Sequence, residues 1–126
     1  MIFTGDQIVA HLVGDYLLQS HWMATEKTRN SMAAAAHAVV YTLPFLLITQ
    51  SAAAIAIICG THFVIDRWRL ARFVVWAKNG PWKPLTATGY PDDVPPWLAV
   101  WLLIFADNTI HLLINGLAIA FAGALP

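Results

Sequence analysis

Three histidine–aspartate pairs punctuate an otherwise apolar chain: His11 with Asp15, His62 with Asp66, and Asp107 with His111, each pair four residues apart. Residues four apart on a helix share a face. Three helices would therefore each present one imidazole and one carboxylate on a single stripe. His37 stands alone in a fourth apolar stretch. Neutral imidazole and ionised carboxylate are ligands for zinc, iron and manganese. All seven residues are thus candidate metal ligands, for zinc first and for iron or manganese as alternatives. The set suits one ion with flanking carboxylates, or two ions bridged by an aspartate. Asp15, Asp66 and Asp107 are also the candidate catalytic groups, one of them serving as base for a metal-activated water.

The elements that position these residues follow from composition. Of 126 residues, 59% are hydrophobic and 11% charged, against about 45–50% and about 25% in an ordinary soluble domain. That balance argues against a disordered chain, a nucleic-acid binder or an ordinary cytosolic enzyme, and points to a membrane as second solvent. A span needs about 20 mostly apolar residues, and four stretches qualify. They run from Thr4 to Trp22, from Ser31 (as N-cap) to Thr49, from Ala52 to Arg69, and from Pro96 to Gly123. The expected architecture is all-α: a single domain over 1–126, polytopic, with four transmembrane helices in an antiparallel bundle. Counted at ~1.5 Å per residue from the outer ends, the seven polar residues lie ~10–24 Å deep in a core ~30 Å thick. They converge on one level although they are scattered along the chain.

All seven Lys and Arg lie on or beside the connections 23–30 and 70–95. The positive-inside rule makes those connections cytoplasmic and both termini outward in a bacterial inner membrane. The six tryptophans fall near the same side. Within 70–95, the stretch from Leu70 to Lys78 reads as a helix lying at the interface. Ala52, Ala56 and Gly60 form a small-residue series on the face opposite His62, suited to close helix approach and a homo-oligomer. Gln19 and Lys27 extend the first stripe toward the cytoplasm. They either bind an anionic headgroup or form a polar helix end with a snorkelling lysine. Tyr41, one turn from His37, either hydrogen-bonds a ligand or only packs. A lone cysteine, Cys59, excludes an internal disulfide framework. No nucleophile elbow, P-loop, H-E-x-x-H or C-x-x-C occurs.

The motifs H-L-x-G-D-[FY]-L-L-Q (His11 to Gln19), W-M-x-x-x-K (Trp22 to Lys27), a lone His37, H-[FL]-x-I-D (His62 to Asp66) and D-[QN]-x-x-H (Asp107 to His111) together resemble a family of small polytopic membrane proteins of bacteria and phages, classed as a domain of unknown function. The resemblance covers nearly the whole chain, with Asn108 where the family often has Gln. It implies a membrane protein with a shared His/Asp set, and it supplies no substrate. A wider set of similar small membrane proteins is labelled metal-dependent hydrolase, largely by analogy.

Three readings of the cluster are open. The first is a metal centre, with the protein acting as a metal-dependent hydrolase on a lipid or lipid-linked substrate. The second is a structural network of interhelical hydrogen bonds. The third is a metal or proton conduit or a phage-type envelope factor. Energy favours the first. Three aspartates at mid-bilayer cost roughly 8–10 kcal/mol, and a bound zinc contributes ~10–16 kcal/mol.

Overall fold

The computed structural model describes residues 1–123, so the last three residues of the expected domain, 124–126, lie outside it. The described chain is all-α. Helix α1, Gly5–Leu12, runs directly into a π-helical turn, Val13–Leu17. Helix α2 is His21–Glu26, with the Ser20 hydroxyl accepting from the Met23 N–H. Helix α3, Ser31–Thr42, tightens into a 3-10 segment, Leu43–Leu47, that contains Pro44. The cap of α3 is Asn30, one residue before the expected Ser31, and its side chain accepts from the N–H groups of Met32 and Ala33. Helix α4, Ala52–Trp68, is capped by Ser51 and ends on Arg69 in the left-handed region, φ 51°. Helix α5 is Ala71–Asn79, over the stretch expected to lie at the interface. Helix α6, Pro96–Leu117, closes with a π-helical turn, Ala118–Ala122.

The apolar stretches are helices where expected, but the four-span polytopic bundle is overturned. Among the described residues, only Pro96–Ala122 is a helix long and apolar enough to cross a membrane. Continuous helix over Gly5–Leu17 is eight plus five residues, about 20 Å of rise. The helix stops at Leu18 because Ser20 is extended and starts α2. Ser31–Leu47 and α4 have seventeen residues each, about 25 Å, less than a hydrocarbon core of about 30 Å. The α4 helix also carries Asp66 and Arg67 in its last turn. With one candidate span, the multi-pass topology and the outward placement of both termini fall as well. Apolar composition located the helices but could not see the breaks that shorten them.

Helices α3 and α4 form an antiparallel hairpin, and α6 packs on α1, α4 and α5. A small apolar centre of Ala10, Tyr41, Phe45, Ile58 and Ala118 lies among α1, α3, α4 and the end of α6. One close approach depends on glycine. A Cβ at Gly14 would lie 2.6 Å from the Tyr41 carbonyl oxygen and 2.9 Å from its ring. Only a missing side chain lets the π turn lie against α3. Ala52, Ala56 and Gly60 are exposed, as their position opposite His62 implies. Ala56 and Gly60 line an open apolar groove with Ile57, Val64 and Ile114.

Candidate metal centre

The π turn presents Asp15, α3 presents His37, and the last two turns of α4 present His62 and Asp66. All four are buried, and one ligand atom from each lies within 4.8 Å of the others. The individual separations are closer than that limit. His37 Nε2 is 3.1 Å from Asp15 Oδ1 and 3.2 Å from Asp66 Oδ2. His62 Nε2 is 3.4 Å from Asp66 Oδ2, 3.8 Å from Asp15 Oδ1 and 2.9 Å from His37 Nε2. Tetrahedral bonds of about 2.0–2.1 Å place ligand atoms about 3.3 Å apart, so the quartet has the dimensions of a zinc-type shell. Asp66 Oδ2 and His37 Nδ1 are buried without an aligned hydrogen bond. The Asp66 oxygen points into the shell.

A second group overlaps the first through Asp66. His111 Nε2 lies 3.2 Å from Asp66 Oδ1 and 3.5 Å from Asp107 Oδ2. The three form a possible ligand set of their own. Donor accounting separates the two groups. His62 Nδ1 faces His111 Nδ1 at 3.3 Å. If both rings bound metal through Nε2, both Nδ1 atoms would carry hydrogens and collide. If only His62 binds, its Nδ1–H donates to His111 Nδ1. The His111 Nε2–H then donates to Asp66 Oδ1, which leaves Oδ2 for the ion. This carboxylate–histidine relay is the usual support of a metal ligand.

His11 belongs to neither group, although its Nε2 is 3.9 Å from Asp15 Oδ2. Asn115 Nδ2 donates to the Tyr41 hydroxyl at 2.6 Å. The hydroxyl is left to donate to His11 Nδ1 at 2.8 Å. His11 Nε2 then donates to Asn108 Oδ1 at 3.1 Å. Both ring nitrogens are therefore committed. Tyr41 is fully buried and also stacks on His62, with centroids 3.6 Å apart and planes at 9°. It touches two of the histidines and fixes the His62 ring plane. Its distance of one turn from His37 did not reveal that role.

Lys27 enters the cluster as well. Its Nζ is 2.7 Å from Asp66 Oδ2, 3.3 Å from His37 Nε2 and 3.9 Å from Asp15 Oδ1. It caps the side of the shell that opens onto a cavity of about 260 Å³. Burial would raise the Asp66 carboxyl, but the hydrogen bond from His111 and the close imidazoles of His37 and His62 together outweigh it and hold the group well below the carboxylate range. Asp15 follows the same pattern, its burial outweighed by the His37 hydrogen bond together with the charges of His62 and Lys27, so its carboxyl is lowered. Burial pushes His62 down to about 4, so its lone pair is available at neutral pH. For His37, burial is outweighed by Asp15 and Asp66, which raise its pKa. A fold that keeps two carboxylates ionised beside a neutral imidazole holds them in the form a metal requires.

Residues 3–86 match a family model described as a protein of unknown function, DUF3307. The chain belongs to the DUF3307 family. The DUF3307 segment contains the four clustered residues Asp15, His37, His62 and Asp66, and Lys27 beside them. Asp107 and His111 lie beyond it, so the match is shorter than the near-complete coverage expected from the motifs. The DUF3307 description makes no mention of membrane insertion, phage origin or metal. Neither the curated proteins nor the solved structures include a match to the chain.

Proposed function

We propose that the protein holds one divalent metal, zinc first, on Asp15, His37, His62 and Asp66. We further propose that it acts as a hydrolase on a lipid or lipid-linked substrate, with α6 anchoring it in a membrane. The observation that carries the metal reading is the quartet itself. Four buried ligand atoms from three separate elements lie 2.9 to 3.8 Å apart in the pairs quoted above. The donor relay behind Asp66 and the ionised state of the carboxylates support it. A divalent ion in this place would activate water and polarise a carbonyl or phosphoryl oxygen. Asp107 lines the adjoining cavity with its side chain 29% exposed. It can take a proton from a water entering there.

The anchor rests on α6. Its most apolar window is only 11% buried, whereas a core helix would be mostly covered. Trp97, Trp101, Phe105 and Phe121 are all more than half exposed. The groove along Ala56 and Gly60 suits a homo-oligomer formed by close approach of α4 to a second copy. Cross-linking through Cys59, beside that groove, would trap such a dimer, and a strictly monomeric product would reject it.

Elemental analysis of the detergent-purified full chain tests the metal centre. About one divalent ion per chain is expected, and His62→Ala should lose it while keeping its helical circular dichroism. Folded protein that carries no metal, takes none up and is equally stable in chelator would reject the centre. That result would support a structural hydrogen-bond network instead. One observation already favours this second reading: the Lys27 ammonium reaches both carboxylates and partly neutralises the cluster without an ion.

A further inference from the structure

The cavity beside the shell is lined by Asp15, Asp66 and Asp107 and by two cationic side chains, Lys27 and Arg69. Lys27 is committed to the carboxylates. Arg69 forms no ion pair among the described residues, although it stands close to three acids. Among the described residues its backbone is the only non-glycine one with positive φ, 51°, a conformation that costs most residues about 1 kcal/mol or more. Asn or Gly is common at such a helix end, yet an arginine occupies it and its side chain lines the cavity. A third polar group there is the Gln19 amide. Its Nε2 donates to the Asp15 carbonyl, and its Oε1 is buried with no partner. Leu103 and Ile104 of α6 supply an apolar wall.

Charge decides what this cavity can hold. The lining side chains set three carboxylates against one ammonium and one guanidinium, a balance that disfavours an anion. One divalent ion on the quartet reverses the balance to one net positive charge. The same ion would compete with the Lys27 ammonium for Asp15 and Asp66, and a displaced Lys27 would turn toward the cavity it already lines. Arg69 and Lys27 then face one space with donors and no acceptor of their own, and Gln19 Oε1 offers an acceptor to a ligand hydroxyl. Arginine and lysine together are a usual pairing for phosphate oxygens.

From this arrangement we infer that the cavity is a metal-dependent subsite for a phosphate monoester, with Arg69 and the released Lys27 holding its anionic oxygens. The inference rests on the proposed metal centre and names the substrate class of that site. The apolar wall favours a lipid phosphate over the free ion.

Calorimetric titration of the full chain in detergent tests it, first with zinc and then with inorganic phosphate. Phosphate should bind zinc-loaded protein and bind metal-free protein at least ten-fold more weakly. Arg69→Gln should leave zinc affinity unchanged and weaken phosphate at least ten-fold, with partial recovery in Arg69→Lys. Lys27→Gln should give the opposite signs for the two ligands, tightening zinc and weakening phosphate. A short-chain phosphatidic acid should bind more tightly than inorganic phosphate if the ligand is a lipid, and equally if it is the free ion. Zinc uptake followed by phosphate binding that neither variant alters would overturn the subsite and leave the metal centre standing. Zinc uptake with no phosphate binding would do the same. Absence of zinc uptake would overturn both.

Discussion

At the residue scale, i, i+4 spacing puts His62 with Asp66 and Asp107 with His111 on shared faces that meet, and Asp15 and His37 join them. The same rule placed His11 on the stripe but could not foresee that Tyr41 and Asn108 occupy both its nitrogens. Spacing assigns a face and says nothing of the partner across it. Lys27 was placed at the end of the first stripe, toward a headgroup, and its contact with the carboxylates escaped for a related reason. Its long stem reaches from the segment after α2 into a site built by other helices. Two predictions belong here. Tyr41→Phe removes the donor to His11 and the acceptor for Asn115, leaving buried polar atoms unpaired. Urea denaturation should show a loss of about 1–3 kcal/mol, with metal stoichiometry retained because the ring still stacks on His62. The second concerns pH in metal-free protein. Burial holds His62 at about 4 when folded, and an unfolded imidazole titrates near about 6.5. Between those values the unfolded chain binds a proton that the native one refuses, so stability falls as pH drops from about 6.5 to about 4. The whole loss is about 3 kcal/mol. The raised pKa of His37 acts above about 6.5, where its contribution fades as pH rises, so the two windows separate. Urea midpoints at pH 7 and pH 4.5 measure the difference, and His62→Leu should shrink it.

At the element scale, the starts of α3, α4 and α6 were legible to within a residue, at Ser31, Ala52 and Pro96, but the break after Leu17 that separates α2 from the first helix was not, because the apolar stretch from Thr4 to Trp22 runs across it. The π turn at Val13–Leu17 was not legible, since no local residue type announces one. It has a consequence for the site, because π-helical turns re-aim side chains and this one carries Asp15 to His37. Gly14 makes it possible by letting the turn touch α3. Gly14→Ala forces the two segments apart and should cost about 1–3 kcal/mol. Because Asp15 moves with the turn, metal affinity should also fall, by more than the stability loss alone explains in a zinc titration. Gly60→Ala is the control. A Cβ there meets nothing within 4 Å, and the better helix former should add about 0.5–1 kcal/mol. A Gly14→Ala protein with unchanged zinc affinity would detach the turn from the centre.

At the scale of the whole molecule, two demands meet in α6. It supplies Asp107, Asn108, His111 and Asn115 to the inside and a broad apolar surface to the outside. Composition announced the excess of apolar surface, and the fold shows where much of it sits: Trp97, Trp101, Phe105, Leu113, Leu117 and Phe121 are exposed along one helix. Patches of that extent need a partner phase. If α6 crosses a bilayer, Phe105→Asp with Leu113→Asp places two carboxylates against lipid at about 2.5–3.5 kcal/mol each near the helix centre. The pair would then cost roughly 5–7 kcal/mol, enough to move the protein from the membrane pellet to the supernatant on carbonate extraction. Neither residue touches the quartet, so the released protein should still hold its metal. Wild-type chain that stays in the supernatant would assign the surface to another copy of the protein instead. In that case the double aspartate should change the oligomeric state and leave the fractionation as it was.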